Sequence, residues 1–258
     1  MTVEETLRSR AKQGLGSLIG YFPAGYPDVN MSVSALVAMA KNGCNVLEVG
    51  VPYSDPVMDG PVIQRATETA LSAGFKLRML FDVIRRVREQ TEVPILVMSY
   101  WNPIIRFGLE GFAQGVQDAG GQGLITPDLI PDEADDWLKV SERLGLERVF
   151  LAAPSSSFER VERVVRNSKG FVYAVSTMGI TGERAKLDEL ARGVVSRVRD
   201  AGSIPTCVGV GVSSADQVRE VNTYADGAIV GTAFIKAFEE GGLDGLVAKV
   251  RDLSQGLG

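Results

Sequence analysis

Short apolar runs alternate along this chain with longer stretches whose apolar residues recur at helical spacing. Eight of the short runs read as strands: Ser17–Phe22, Asn45–Val51, Pro94–Tyr100, Gly123–Pro127, Val149–Ala153, Phe171–Thr177, Thr206–Val210 and Gly227–Val230. Their apolar content is nearly continuous, as expected for parallel strands covered on their outer face. Between them lie helical patterns. Leu80, Val83, Ile84 and Val87 fall at i, i+3, i+4 and i+7, one face of a helix. Phe158, Val161 and Val165 predict another, opened by a capping-box pair, Ser156 and Glu159. Ser213 and Asp216 repeat that signal before the helix carrying Val218 and Val221, and a further helix, Val3 to Lys12, precedes the first strand. Eight strand–helix repeats in 258 residues predict one α/β domain over residues 1–258, a (β/α)8 TIM barrel with an additional N-terminal helix. A doubly wound open sheet is the other arrangement this pattern permits.

Composition narrows the partners. The net charge is −5 and basic residues form no cluster, which argues against nucleic acid or a membrane surface. No apolar run approaches the roughly 20 residues of a membrane span. The opening Met-Thr-Val-Glu-Glu-Thr-Leu-Arg-Ser-Arg has no apolar signal core, so a cytoplasmic protein is expected. Cys44 and Cys207 are the only cysteines and histidine is absent, which argues against a disulfide framework and against a zinc site.

Without histidine, proton transfer near neutral pH falls to a carboxyl, tyrosine, cysteine or lysine. Glu48 stands inside the second apolar run, with Val46 and Gly50 on its face and Leu47, Val49 and Val51 on the other. A carboxyl in a buried strand is costly unless it is paired or used, and burial raises its pKa toward an acid/base role. A structural glutamate bonded to nearby backbone or hydroxyl groups is the plain alternative. Asp59 follows in the next loop, where an Asx turn before Gly60-Pro61 is equally open, and Asp55 shares that ambiguity. Gly182, Gly211 and Gly231 lie beyond the ends of strands 6 to 8, and Gly209 lies next to the end of strand 7. Glycine turns there suit a phosphate, or simply make tight turns. Phe22, Tyr100 and Tyr173 are strand-end aromatics that fit either a flat apolar pocket or ordinary core. None of the predicted strands carries a lysine, which disfavours Schiff-base chemistry.

The segment from Leu47 to Ala66 closely resembles the signature of the tryptophan synthase alpha chain family. The resemblance continues through Met98–Pro103, Thr126–Leu129, Tyr173–Ser176, Gly179–Gly182, Gly209–Ser213 and Val230–Ala233, in the expected order and across nearly the whole chain. It implies a barrel that cleaves indole-3-glycerol phosphate to indole and glyceraldehyde 3-phosphate. Glu48 is then the acid/base, and Asp59 the carboxylate that stabilises positive charge developing on the indole nitrogen. Gly182, Gly211, Val212, Ser213, Gly231 and Thr232 are implied to hold the phosphate. Phe22, Tyr100 and Tyr173 are implied around the indole, with Thr181 on a closing loop. The resemblance also implies a tryptophan synthase beta chain as partner in an alpha2-beta2 heterotetramer, faced by Pro52 and Asp55. Pyridoxal phosphate belongs to that partner, and no cofactor is expected in this chain. The departures are small: Tyr53 and Trp101 replace other aromatics, and Met178 stands where arginine is common.

Three other readings share some of these features. A stand-alone indole-3-glycerol phosphate lyase would carry the same catalytic residues. A non-catalytic activating subunit would keep the barrel, but retention of both Glu48 and Asp59 argues against it. An unrelated phosphate-binding isomerase barrel is disfavoured by the missing histidine and strand lysine.

Overall fold

The computed structural model describes residues 1–175, 184–209 and 211–258, the side chains of 184–187 excepted. Among the described residues nine strands, all parallel, form one sheet: β1 Leu18–Pro23, β2 Val46–Gly50, β3 Ile95–Met98, β4 Gly123–Ile125, β5 Glu147–Val149, β6 Leu151–Ala152, β7 Val172–Val175, β8 Thr206–Gly209 and β9 Gly227–Val230. The order is β5-β4-β3-β2-β1-β9-β8-β7-β6. Its two ends are consecutive in the chain. β5 pairs with β4 and β6 with β7, and only Phe150 separates them. The Phe150 carbonyl accepts from Tyr173 N at 3.0 Å, so the seam closes the ring. The result is the eight-stranded barrel, with its fifth strand interrupted.

That fifth strand corrects the sequence reading, which placed it at Val149–Ala153. It begins at Glu147 because two charged residues at the barrel base have specific partners. The Glu147 carboxylate accepts the amide hydrogens of Val3 and Glu4 at 2.9 and 3.0 Å. Arg148 donates to Asn167 O and to Ser141 Oγ. An apolar-run criterion excludes such residues. Glu147 thereby docks the helix Val3–Lys12, itself closed by a Thr2–Glu5 capping box, under the barrel. Val3 and Leu7 of this helix meet Ile19, Val46, Leu96, Ile125, Val149, Phe171, Cys207 and Ile229 inside the ring. The lower barrel is therefore filled by apolar side chains.

Side-chain alternation sets what faces that space. Leu47 and Val49 pack outward into the larger layer between strands and helices, whereas Val46 faces inward. The face Leu80, Val83, Ile84 and Val87 of the helix Met79–Arg88 is fully buried in the outer layer. Two caps lie one residue later than expected. Ser157, not Ser156, caps the helix Phe158–Asn167, because the Ser156 hydroxyl is engaged by Ala153 N. Phe158 is itself exposed, and Val161 and Val164 form the buried face. Ser214 and Gln217, not Ser213 and Asp216, form the capping box of Ala215–Asn222. Among the described residues, no helix is long and apolar enough to cross a membrane.

Candidate active site

Above the filled base lies a cavity of about 440 Å³, within the range of small-molecule sites. It opens at the C-terminal ends of the strands, where barrel enzymes place their chemistry. Glu48 projects into it from β2 and is only 1% exposed. Neither of its carboxyl oxygens has a hydrogen-bond partner among the described residues. A structural glutamate would be bonded, so the plain alternative does not describe this one. Burial pushes its carboxyl up to about 8. It is thus protonated at neutral pH and can act as an acid.

Asp59 reaches the same cavity from the loop after β2. Burial raises its carboxyl to about 6, opposed by a hydrogen bond from the Tyr100 hydroxyl that favours the charged form. The loop is pinned at several points. Met58 N donates to Tyr100 Oη at 2.9 Å, Gln64 Nε2 to Asp59 O at 2.8 Å, and Asp59 N to Pro56 O at 3.1 Å. Gly60, the N-cap of the helix Pro61–Ser72, receives no side-chain hydrogen bond. Asp59 is therefore not spent on capping that helix. One cavity thus holds two carboxyls whose environments separate their pKa values, the arrangement that divides acid and base roles.

The other sequence-derived residues are placed unevenly. Tyr173 lines the cavity from β7. Tyr100 stands behind the Asp59 loop, its ring 5.5 Å from that of Tyr53. Phe22 lies on the outer face of β1, against Tyr26 and Phe238 with ring centroids 5.8 and 5.5 Å away. It belongs to the core and is absent from the cavity wall. Its neighbour Tyr21 takes the inward position, opposite Glu48 in the β1–β2 register. The sequence reading had no register for β1, and adjacent aromatics can be sorted only by register. Pro52 is buried and Asp55 exposed, and neither lines the cavity. Pro52 instead borders a separate groove with Tyr53, Phe75 and Phe107.

At the far end, Gly211, Val212, Ser213, Gly231 and Thr232 come together. Gly211 has φ +68°, a left-handed conformation that favours glycine. Gly231 is the N-cap of the helix Thr232–Ser254 and is given no side-chain cap. The start of that helix borders the cavity and offers amides to an anion. Ser213 is partly committed, its N–H and Oγ both bonding Gln217 Oε1 at 2.7 and 3.2 Å. Lys236, four residues beyond Thr232, adds a cation at this end. The i, i+4 spacing could have revealed it from sequence. Thr181 and Gly182 lie outside the described residues, as do Val210 and Met178. Met58, Ile63, Met98 and Ile229 supply an apolar wall that the sequence reading did not assign.

A family model described as tryptophan synthase alpha chain matches residues 7–255. The chain belongs to the tryptophan synthase alpha chain family. A tryptophan synthase alpha chain from Leifsonia xyli is 54% identical over 254 residues, spanning 98% of this chain and 97% of that protein. A chain in a structure of Mycobacterium tuberculosis tryptophan synthase superposes with a TM-score of 0.93 at 47% identity, covering 99% of this chain and 97% of that one. A chain of the tryptophan synthase complex from Pyrococcus furiosus gives 0.85 at 32% identity, covering 93% and 98%. Family membership implies a lyase-type activity, and the barrel is the family fold.

Proposed function

We propose that this chain is an alpha subunit that cleaves indole-3-glycerol phosphate to indole and glyceraldehyde 3-phosphate. The observation that carries the reading is Glu48: buried, without a hydrogen-bond partner among the described residues, and facing a cavity shared with Asp59. The reaction is a retro-aldol cleavage. Protonated Glu48 gives its proton to indole C3, which makes the ring an indolenine-like cation. Asp59, ionised, accepts the ring N–H hydrogen bond and stabilises that charge where it grows. Glu48, now a carboxylate, takes the proton from the hydroxyl beside the breaking bond. The C–C electrons return to the ring, and the hydroxyl-bearing carbon leaves as an aldehyde. Glu48 ends the cycle protonated, so no net proton is consumed.

The lining of the cavity supports this reading at both ends. Tyr21, Tyr173, Met98 and Ile63 give the indole flat and apolar walls, while Gly211, Gly231, Thr232 and the helix start receive the phosphate. The cleavage as written uses no cofactor in this chain, and among the described residues no cluster of three or more His, Cys, Asp or Glu side chains could hold a metal.

The partner in this reading is a tryptophan synthase beta chain carrying pyridoxal phosphate, in an alpha2-beta2 assembly. It would face the loop bearing Pro52 and Asp55, through which occupancy of the cavity is reported, and would take up the indole. Solved relatives from a tryptophan synthase and from a tryptophan synthase complex support a partner chain. The test is indole release by the purified chain, alone and with a tryptophan synthase beta chain. Slow release that rises strongly with the partner is expected. Fast release that ignores the partner would assign a stand-alone lyase instead.

A further inference from the structure

Tyr21 lends its ring to the indole wall in the cleavage just described, but its hydroxyl has no role there. It sits on β1 directly opposite Glu48 in the strand register, with its side chain inside the barrel. Its ring extends over Gly50, where a Cβ would collide with the Tyr21 hydroxyl. That places the hydroxyl at the end of β2, where the chain enters the loop to Asp59. On the other side the ring edge rests on Gly231, whose added Cβ would lie 3.1 Å from Tyr21 Cδ1. The ring is thus held between two glycines and is 5% exposed. Its hydroxyl belongs to a side chain that borders the cavity Asp59 lines, and Asp59 is the foremost charge acting on it.

We propose that Tyr21 is a positioning residue for Asp59, its hydroxyl donating to the Asp59 carboxylate from the cavity side while Tyr100 holds it from behind. This rests on the acid/base reading above, in which Asp59 must stay ionised beside a protonated Glu48. Burial opposes that ionisation, and a second donor to the charged form restores it. The hydroxyl is available as a donor, because burial first and Asp59 next keep the Tyr21 phenol well above its ordinary range. The other titratable groups facing this point are Glu48 on β2, Tyr100 after β3, Tyr173 on β7 and Lys236 at the phosphate end. Tyr173 cannot substitute for Tyr21: it approaches from the opposite wall, and Glu48 outweighs Asp59 among its neighbouring charges.

The test is a carboxyl carbon-13 NMR titration of the full chain and its Tyr21→Phe variant, with the Asp59 signal assigned by its loss in Asp59→Asn. Phenylalanine keeps the ring between its glycines and removes only the oxygen. The Asp59 midpoint should rise by about half a pH unit or more, and the Glu48 midpoint should move less. In indole release the acid limb should rise in parallel, with kcat lowered and KM little changed. An unmoved Asp59 midpoint overturns the proposal, even if activity falls. The titration needs no substrate, so it decides Tyr21 even if the wild-type chain releases no indole and the cleavage reading fails.

Discussion

The Tyr100 hydroxyl accepts the Met58 amide hydrogen at 2.9 Å, and this bond ties the loop carrying Asp59 to the end of β3. Tyr100 is fixed in turn: the next amide, Trp101 N, donates to both carboxyl oxygens of Asp128 at 2.8 and 3.1 Å. Asp59 is therefore positioned by a chain of contacts running from the loop after β4 through Tyr100. An acid/base pair needs such support, because small displacements of a catalytic group cost large factors in rate.

Tyr100→Phe removes the hydroxyl and leaves the ring against Tyr53. Losing one such bond costs about 1 kcal/mol, so kcat should fall about fivefold or more with a smaller change in KM. The hydroxyl favours ionised Asp59, so its loss should also raise the acid limb of the pH–kcat profile. Steady-state kinetics across pH 5 to 9 would check both. An unchanged limb would separate Tyr100 from Asp59.

Glu48 should make the fold less stable as pH rises. Its folded-state pKa, about 8, lies above its ordinary value of 4.5. Between those values the folded chain holds a proton that the unfolded chain releases, so unfolding becomes progressively easier with increasing pH. Glu48→Gln removes this dependence. Relative to wild type, the variant should gain stability between pH 5 and pH 8.5, by on the order of a few kcal/mol. Urea unfolding at the two pH values would measure it. A wild-type-minus-variant difference that stays flat with pH would mean that Glu48 is not held protonated by burial.

Gly211→Val should weaken binding at the phosphate end. The φ of +68° is unfavourable for a β-branched residue, and relief of that strain would move the loop beside Val212 and Ser213. Affinity for glyceraldehyde 3-phosphate should drop by about tenfold or more. Calorimetric titration with a melting curve on the same sample would separate this from loss of fold. Unchanged affinity would place the phosphate elsewhere.

Much of this architecture was legible because parallel barrel strands are nearly uniform apolar runs. The alternation around Glu48 was readable for the same reason, since Val46 and Gly50 flank it on one face. Features set by pairing between distant segments were not. Tyr21 and Phe22 differ only in which face of β1 they occupy, and that is decided by register against β2. Glu147 and Arg148 enter β5 because of partners far away in sequence, Val3 and Glu4 for one, Ser141 and Asn167 for the other. The caps at Ser157 and Ser214 turn on which of two adjacent serines reaches the helix amide. Asp59 was ambiguous between turn and site until its helix proved to have no side-chain cap. Composition and spacing carry none of this information.

The most direct measurement is indole release from indole-3-glycerol phosphate by wild type and Glu48→Gln side by side, with affinity for glyceraldehyde 3-phosphate followed in parallel. Glutamine preserves size but can neither give nor take the proton. The account predicts release reduced by about a thousandfold or more, with binding of the phosphate product essentially retained. Release near the wild-type rate in Glu48→Gln would contradict it and move the acid/base role to another group in the cavity.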